Sequence, residues 1–421
     1  MILYAKWAAI NCTVSFIADI NGSITGTSIQ TIKYGTNCLP VTADPADNYH
    51  FTQWTGDHTG IENPLTITNV TEDMSITANF TSNISKMTPG RYHTLILKAD
   101  NVLFVTGYNN SGQLGDGTTT NKKTLTPIRT GVVDIAGGGD HTFFLTANNK
   151  LWAAGWNHYG QMGDGTTDDQ PIPIQVMSDV DYAACGYTHA LFFKTDNTIW
   201  GAGRNGYGQM GDGTNSDKPT PFLVMDGITN VANVTSKFTH TLILKTNNTL
   251  WATGNNTHGQ LGDGTTEDKD ICAKIMSNVS KFATGELHSL FLKSDNTLWS
   301  TGYNGRGQLG NGTNDDISTP VQIMSDVADI ACGQFHSMIL KTNNTLWATG
   351  DNEYGQLGDG TNDDKSTPVQ ITNNVIDIAC GSSHTLILKA DYSLWATGYN
   401  EYGQLGDGTN SDKNAPVEIT F

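Results

Sequence analysis

The sixteen residues from Gly398 to Lys413, "GYNEYGQLGDGTNSDK", hold four glycines, three carboxylates and two tyrosines. Such a stretch could bind calcium through carboxylate oxygens, or a phosphate through backbone amides. A calcium loop of the EF-hand type needs oxygen ligands at alternate positions and glycine at the sixth. From Asp407 the order is D-G-T-N-S-D, with glycine second and aspartate sixth, so the pattern fails. Phosphate loops open a helix and often carry a lysine, whereas this loop lies between stretches that read as strands. Asp and Asn both bond nearby backbone amides in turns, and Asn311 stands where other copies of the motif have Asp. A turn is the expected reading.

The other reactive residue types recur in the same way. His93, His141, His189, His240, His288, His336 and His384 each open one kind of expected strand. Spread around a ring they would lie far apart, so a repeated structural hydrogen bond is expected rather than a shared metal site. None of the six cysteines forms a C-x-x-C pair, which removes the usual zinc and thiol-redox signatures. Cys185, Cys332 and Cys380 share a repeated position with Pro89, Gly137, Ser236 and Thr284, a set that selects for small size. Cys12 and Cys38 could pair near the N-terminus, which the sequence leaves open. No nucleophile elbow, H-E-x-x-H motif or unique carboxylate pair is present, so neither catalysis nor a metal or cofactor is expected.

The elements that position these residues repeat. "GQLGDGT" or a near variant begins at Gly112, Gly160, Gly208, Gly259, Gly307, Gly355 and Gly403, with spacings of 48, 48, 51, 48, 48 and 48 residues. A fixed period of this length means a repeat architecture. Within the unit Val375 to Thr420, "VIDIAC", "HTLILK", "SLWATG" and "PVEIT" read as four short strands separated by Gly, Asn, Asp and Pro turns. Four strands in about 48 residues is the content of a propeller blade. An open solenoid would need atypical end units. Here unit seven keeps the consensus and unit one departs modestly, with Phe104 in place of Trp152, Trp200, Trp251, Trp299, Trp347 and Trp395. Those tryptophans read as blade packing, and a closed ring is expected. Its closure is expected to come from "PVEIT" completing a sheet with the strands of unit one, which would remove two free edges.

Composition bounds the setting. The 421 residues carry 23 basic and 41 acidic side chains, a net charge of −18, which opposes nucleic acid and anionic membranes as partners. No apolar run reaches the length of a membrane span, and "MILYAKWAAI" is not a signal peptide. Low Lys and Arg with abundant Asn, Thr, Ser and Gly suits a secreted or surface protein. Export is expected to be directed by sequence outside this chain.

The recurrent "G-x-x-H-[ST]-x-x-L", "L-W-x-x-G-x-N-x-x-G-Q-L-G-D-G-T" and "[ST]-P-V-x-[IV]" closely resemble the repeat of the regulator of chromosome condensation family, in its bacterial form. The resemblance covers about residues 83–421 and implies a seven-bladed β-propeller. Residues 1–82 carry two lysines against seven acids, net −5, and alternate as half-buried strands with Asn-Gly and Gly-Asp turns. Residues 11–82 resemble a divergent internalin B-type repeat, a small β-grasp-like module of bacterial surface proteins. Residues 1–10, with "LYAKW", resemble the tail of a preceding module, so the chain reads as a fragment of a longer surface protein. The expected fold class is thus all-β, a seven-bladed propeller behind a β-grasp-like domain.

Strand parity locates function. In a four-stranded antiparallel blade the first and third connections emerge at one end, so "G-x-x-H" and the long "G-x-N-x-x-G-Q-L-G-D-G-T" loop share a face. Their variable positions hold Arg91, Tyr92, Tyr108, Asp140, Trp156, His158, Tyr159, Tyr187, Arg204, Tyr207, Phe238, Glu286, Tyr303, Arg306, Gln334, Phe335, Tyr399, Glu401 and Tyr402. Tyr and Trp with scattered Arg suit protein recognition, and stacking on sugars. Some of the rings, Tyr354 and Tyr402 among them, could instead only shield the loops. The resembled family engages proteins through propeller surfaces: an exchange factor for a small GTPase, a plant photoreceptor and a β-lactamase inhibitory protein. The photoreceptor's "G-W-R-H-T" sensing motifs are absent. The expectation is a monomeric, non-enzymatic surface module for a protein or carbohydrate partner. The alternatives are nucleotide exchange and inhibition of a secreted enzyme.

Overall fold

The computed structural model describes residues 10–225, 231–236 and 239–421, the side chains of 225 and 231–236 excepted. The predicted "LYAKW" tail and Phe238 lie outside the described residues. The chain forms two compact units, residues 1–85 with 98–100, and the remainder.

In the first unit, β1 (Asn11–Ala18), β2 (Gly22–Thr25), β3 (Ile29–Lys33), β4 (Thr42–Pro45), β5 (Tyr49–Gly56) and β6 (Met74–Ser82) make one sheet in the order β3-β1-β6-β5 and a β2–β4 pair. The central pair β1 and β6 runs parallel, and both its neighbours antiparallel. Alternation sends Cys12, Val14 and Phe16 of β1 inward, where they meet Trp54, Leu65 and Ile76. Trp54 is fully buried and satisfies its indole by donating to the Glu62 carbonyl at 2.8 Å. Cys12 and Cys38 are both buried in this core as free thiols, with no disulfide between them.

The second unit holds seven four-stranded antiparallel sheets, each built from one sequence repeat in chain order. The last comprises Val375–Cys380, His384–Lys389, Leu394–Gly398 and Lys413–Ile419. Its fourth strand begins three residues before the predicted "PVEIT", because Lys413 pairs with Gly398. Second strands such as "HTLILK" are apolar on both faces because each sheet is covered on both. Leu340 and Ile387, from the second strands of repeats six and seven, share one core cluster with Leu346 and Val375. First strands of six repeats line one central cavity of about 390 Å³. Cys185, Cys332, Cys380, Pro89, Gly137 and Thr284 all face it, so the small-residue position is the wall of this cavity.

The expected closure by a shared sheet is overturned. Lys413–Ile419 pairs with its own repeat's third strand, and the first sheet is made wholly of repeat one. Repeat seven meets repeat one through its GQLGDGT loop instead. Thr106 Oγ1 donates to Gly403 O at 2.8 Å, Thr94 Oγ1 to Gln404 O at 2.7 Å, and Gly408 N to Lys123 O at 2.9 Å. The same loop accepts the equivalent hydroxyl at five internal junctions, in Thr142 to Gln113 O, Thr241 to Gln209 O, Ser289 to Gln260 O, Ser337 to Gln308 O and Thr385 to Gln356 O. A loop that serves these internal junctions serves the last one too, and no strand is exchanged.

Candidate binding face

The recurring Asn, Asp and His of the repeat have internal tasks. Asn400, fully buried, donates from Nδ2 to Asp407 Oδ1 at 3.0 Å and accepts Leu405 N on Oδ1 at 3.0 Å. Asp407 also accepts Thr409 N at 2.9 Å and pairs with Lys413 at 3.1 Å. Burial would raise its pKa, but these donors outweigh burial and lower it. The carboxylate that looked like a ligand holds the loop shut, and Asn311 can replace it because Asn304 needs only an acceptor oxygen.

The histidines staple neighbouring repeats. His93 Nε2 meets Thr142 Oγ1 of the next repeat at 3.0 Å, and that hydroxyl donates to Gln113 O at 2.7 Å. The same pair forms at His240–Ser289, His288–Ser337 and His336–Thr385, at 2.9 to 3.0 Å, and His384–Thr94 repeats it across the last junction at 3.1 Å. The glycine of G-x-x-H leaves room for the ring: a Cβ on Gly90 would lie 2.1 Å from His93 Cε1. Burial drives the pKa of His93, His141, His189 and His240 down to about 3. His141 is the exception in the series, because Ala190 replaces the hydroxyl residue; neither of its ring nitrogens has a hydrogen-bond partner. Ala190→Ser is expected to supply that partner and raise the unfolding free energy by about 1 kcal/mol, read by denaturant titration. An unchanged or lower midpoint would show that His141 is already satisfied by solvent.

These staples fix the loops of one face. In all seven repeats the long loop bonds back to the G-x-x-H loop, as in Trp156 N to Asp140 O at 2.7 Å and Tyr303 N to Leu287 O at 2.7 Å. The two connections therefore meet, as parity requires. Around the axis the loops also bond one another: Arg91 N to Gly139 O, Gly139 N to Gly186 O, Glu286 N to Gln334 O, Gln334 N to Ser382 O, and Ser382 N to Arg91 O.

The predicted face residues fall into three groups. At the last junction, Tyr92, Tyr108, Tyr399 and Tyr402 pack with ring centroids 4.7 to 6.5 Å apart, and Tyr354 joins at 4.8 Å from Tyr399. Exposed Glu401 accepts from the Tyr399 hydroxyl. A second group places His258 5.0 Å from Tyr303 and Tyr303 5.6 Å from Phe335, while Arg306 pairs with Asp364 at 3.2 Å. The third holds Trp156 against His158 and Tyr159 at 5.2 and 5.6 Å, with the Arg204 guanidinium 5.5 Å from Tyr159 and 5.6 Å from Tyr207. Here Arg91 stacks on Tyr92 and Tyr187 at 4.6 and 5.0 Å, and also donates to the Tyr187 hydroxyl.

The third group borders a concavity of about 300 Å³ that reaches Glu286 and Gln334 on its far wall. Burial raises the Glu286 pKa, opposed by the hydrogen bond from Gln334 and by the charge of Arg91. Burial likewise raises Asp140, opposed by Arg91. Tyr187 is pushed up to about 12 by burial, again against Arg91. Asp351, Thr188 and Thr239 also belong to this face and were missed. Asp351 occupies the variable position that holds Tyr303 and Tyr399 in other repeats, so the repeat alignment contained the signal.

Comparison with known proteins matches this geometry. The divergent InlB B-repeat domain matches residues 12–84. The regulator of chromosome condensation (RCC1) repeat matches residues 100–145, 148–193, 247–292, 295–340, 343–388 and 393–421, and a second form of that repeat matches six further stretches between 132 and 404. The crystal structure of human WBSCR16 is similar at 22% identity, covering 76% of this chain and 94% of that one, with a TM-score of 0.69. Yeast RCC1 (Prp20) bound to Kap60 is similar at 19% identity over 80% and 85%, also at 0.69. Prp20p from Saccharomyces cerevisiae, studied with its binding to Gsp1p and histones, is similar at 21% over 78% and 88%, TM-score 0.69. A β-propeller preceded by a divergent InlB B-repeat domain, the chain belongs to the regulator of chromosome condensation repeat family.

Proposed function

We propose that the chain is a non-enzymatic binding module: a closed seven-bladed propeller that offers its aromatic loop face to a protein partner at a bacterial surface. One observation carries the reading. Three of the four arginines in the chain, Arg91, Arg204 and Arg306, and Trp156, the one propeller tryptophan outside the "LW" positions, stand on variable loops of one face. Buried repeat positions have no use for them, and Arg, Trp and Tyr are the residues that anchor protein interfaces. The InlB-type domain supports the surface setting, and two similar yeast structures belong to proteins that bind proteins, Kap60 in one case and Gsp1p and histones in the other, which supports a protein ligand.

The recurring His and Asp are committed to internal hydrogen bonds, which supports a role without chemistry. The test is capture of surface and secreted proteins by the immobilised chain, compared with Trp156→Ala and Phe335→Ala. Loss of about 2 kcal/mol, or roughly thirtyfold, is expected for Trp156→Ala if it is a central anchor. Equal capture by wild type and both variants, all equally folded, would defeat the reading, and accelerated nucleotide release from a captured GTPase would replace it with exchange.

A further inference from the structure

Arg204 differs from the other arginines in what its guanidinium touches. Arg306 is paired with Asp364, and Arg129 stacks on Phe144 and Trp152 at 4.9 and 4.4 Å. Arg91 donates to Tyr187 and lies near Asp140. Among the described residues Arg204 has no ion pair, although the chain has 41 acidic side chains from which to draw one. It is held by ring faces instead, Tyr159 and Tyr207. Stacking fixes the plane of a guanidinium and leaves its edge of N–H donors available, which is the geometry for receiving a carboxylate. The same concavity holds the cation of Arg91 and the indole of Trp156.

Resting on the binding-face reading and deepening it, we propose that this concavity receives one carboxylate side chain, glutamate or aspartate, from the partner protein. Its carboxylate meets the Arg204 guanidinium, and its methylene stem lies on Trp156. Glu286 on the far wall sets the charge the pocket admits. With Asp140 beside Arg91 and Glu286 on the far wall, two carboxyls face the two guanidiniums, so the pocket has no excess positive charge to hold a dianionic phosphate and leaves the Arg204 edge to a monovalent carboxylate.

Four arginines in the whole chain make the test direct, because arginine Nε–Hε labelling gives four resonances, each assigned by an Arg→Lys variant. The probes are the blocked peptide acetyl-Gly-Gly-Glu-Gly-Gly-amide, its glutamine and phosphoserine counterparts, and sialic acid. The expected result is a saturable shift of Arg204, with Arg91 following, for the glutamate peptide only, and an unmoved Arg129. No Arg204 shift, an equal shift with the glutamine peptide, or tighter binding of phosphoserine or sialic acid would overturn the proposal.

Partner capture then separates this proposal from the broader reading. Arg204→Gln is expected to weaken capture about tenfold and to flatten its salt dependence, while Arg129→Gln leaves both unchanged. If Trp156→Ala abolishes capture and Arg204→Gln does not weaken it, the face stands and the carboxylate pocket falls. If neither variant matters, the face reading falls and takes the pocket with it.

Discussion

Lowering the pH from 7 to 5.5 is expected to remove about 5 kcal/mol of stability from the propeller unit, well before its carboxylates titrate. His93, His141, His189 and His240 are fully buried, with folded pKa values near 3 against an ordinary 6.5. Because the folded values are depressed, the unfolded chain binds more protons between about pH 6.5 and 3. Stability is therefore complete above that window and lost as pH falls through it. Each ring contributes about 1.3 kcal/mol between pH 7 and 5.5, and four act together. Asp140, Glu286, Asp351 and Asp377 are raised by burial and work in the opposite sense, offsetting part of the loss as pH falls towards the carboxylate range. The measurement is the denaturant midpoint against pH at fixed ionic strength, with proton uptake on unfolding of at least about 3.6 near pH 5.5, the share of these four rings. A midpoint flat from pH 7 to 5.5 would mean the rings are hydrated or already charged, and the staple picture would fail.

The same histidines show what the sequence could and could not convey. Seven placements at the head of a strand announced a structural role, and the turn chemistry of Asp407 followed from the Asn311 exchange. The strands were legible because second strands such as "HTLILK" are apolar at successive positions, and glycine, asparagine and aspartate punctuate each unit. The boundary of a sheet was not. A cyclic pattern reads the same wherever it is cut, so the order of strands did not reveal whether Lys413–Ile419 belongs with Leu394–Gly398 or with repeat one. Pairing is decided by which edges meet, through Lys413 against Gly398, and periodicity carries no information about that.

The face was legible as a set of positions but not as groups. Tyr108 and Tyr402 are 294 residues apart in sequence and 4.7 Å apart between ring centroids, a neighbourhood that exists only because repeats seven and one adjoin. The selection took aromatic, charged and polar occupants of the variable positions yet passed over Asp351, whose burial raises its pKa beside Arg306. Taking the same position in every repeat would have included it.

Thr94→Val is expected to cost about 2–4 kcal/mol, as much as Thr142→Val, although nothing near Thr94 in sequence distinguishes the two. Thr94 is buried, donates to Gln404 O at 2.7 Å and meets His384 Nε2 at 3.1 Å. Thr142 does the same towards Gln113 O and His93 Nε2 at 2.7 and 3.0 Å. Valine keeps the shape and removes the hydroxyl, so each substitution leaves a carbonyl and an imidazole nitrogen buried without a partner. The one difference is topological: Thr142 joins consecutive repeats, whereas Thr94 joins the last repeat to the first. In a closed ring both junctions are buried and equal in cost. In an open array the Thr94 hydroxyl would be wet, and its loss would cost little. Equal destabilisation by denaturant titration therefore supports closure. A Thr94→Val cost near zero beside a full cost for Thr142→Val would show that the ring is open. Trimming Ala415–Phe421 is expected to do less to this junction than Thr94→Val, since that segment pairs with the third strand of its own repeat and meets repeat one through the Phe421 ring, 5.2 Å from Phe104.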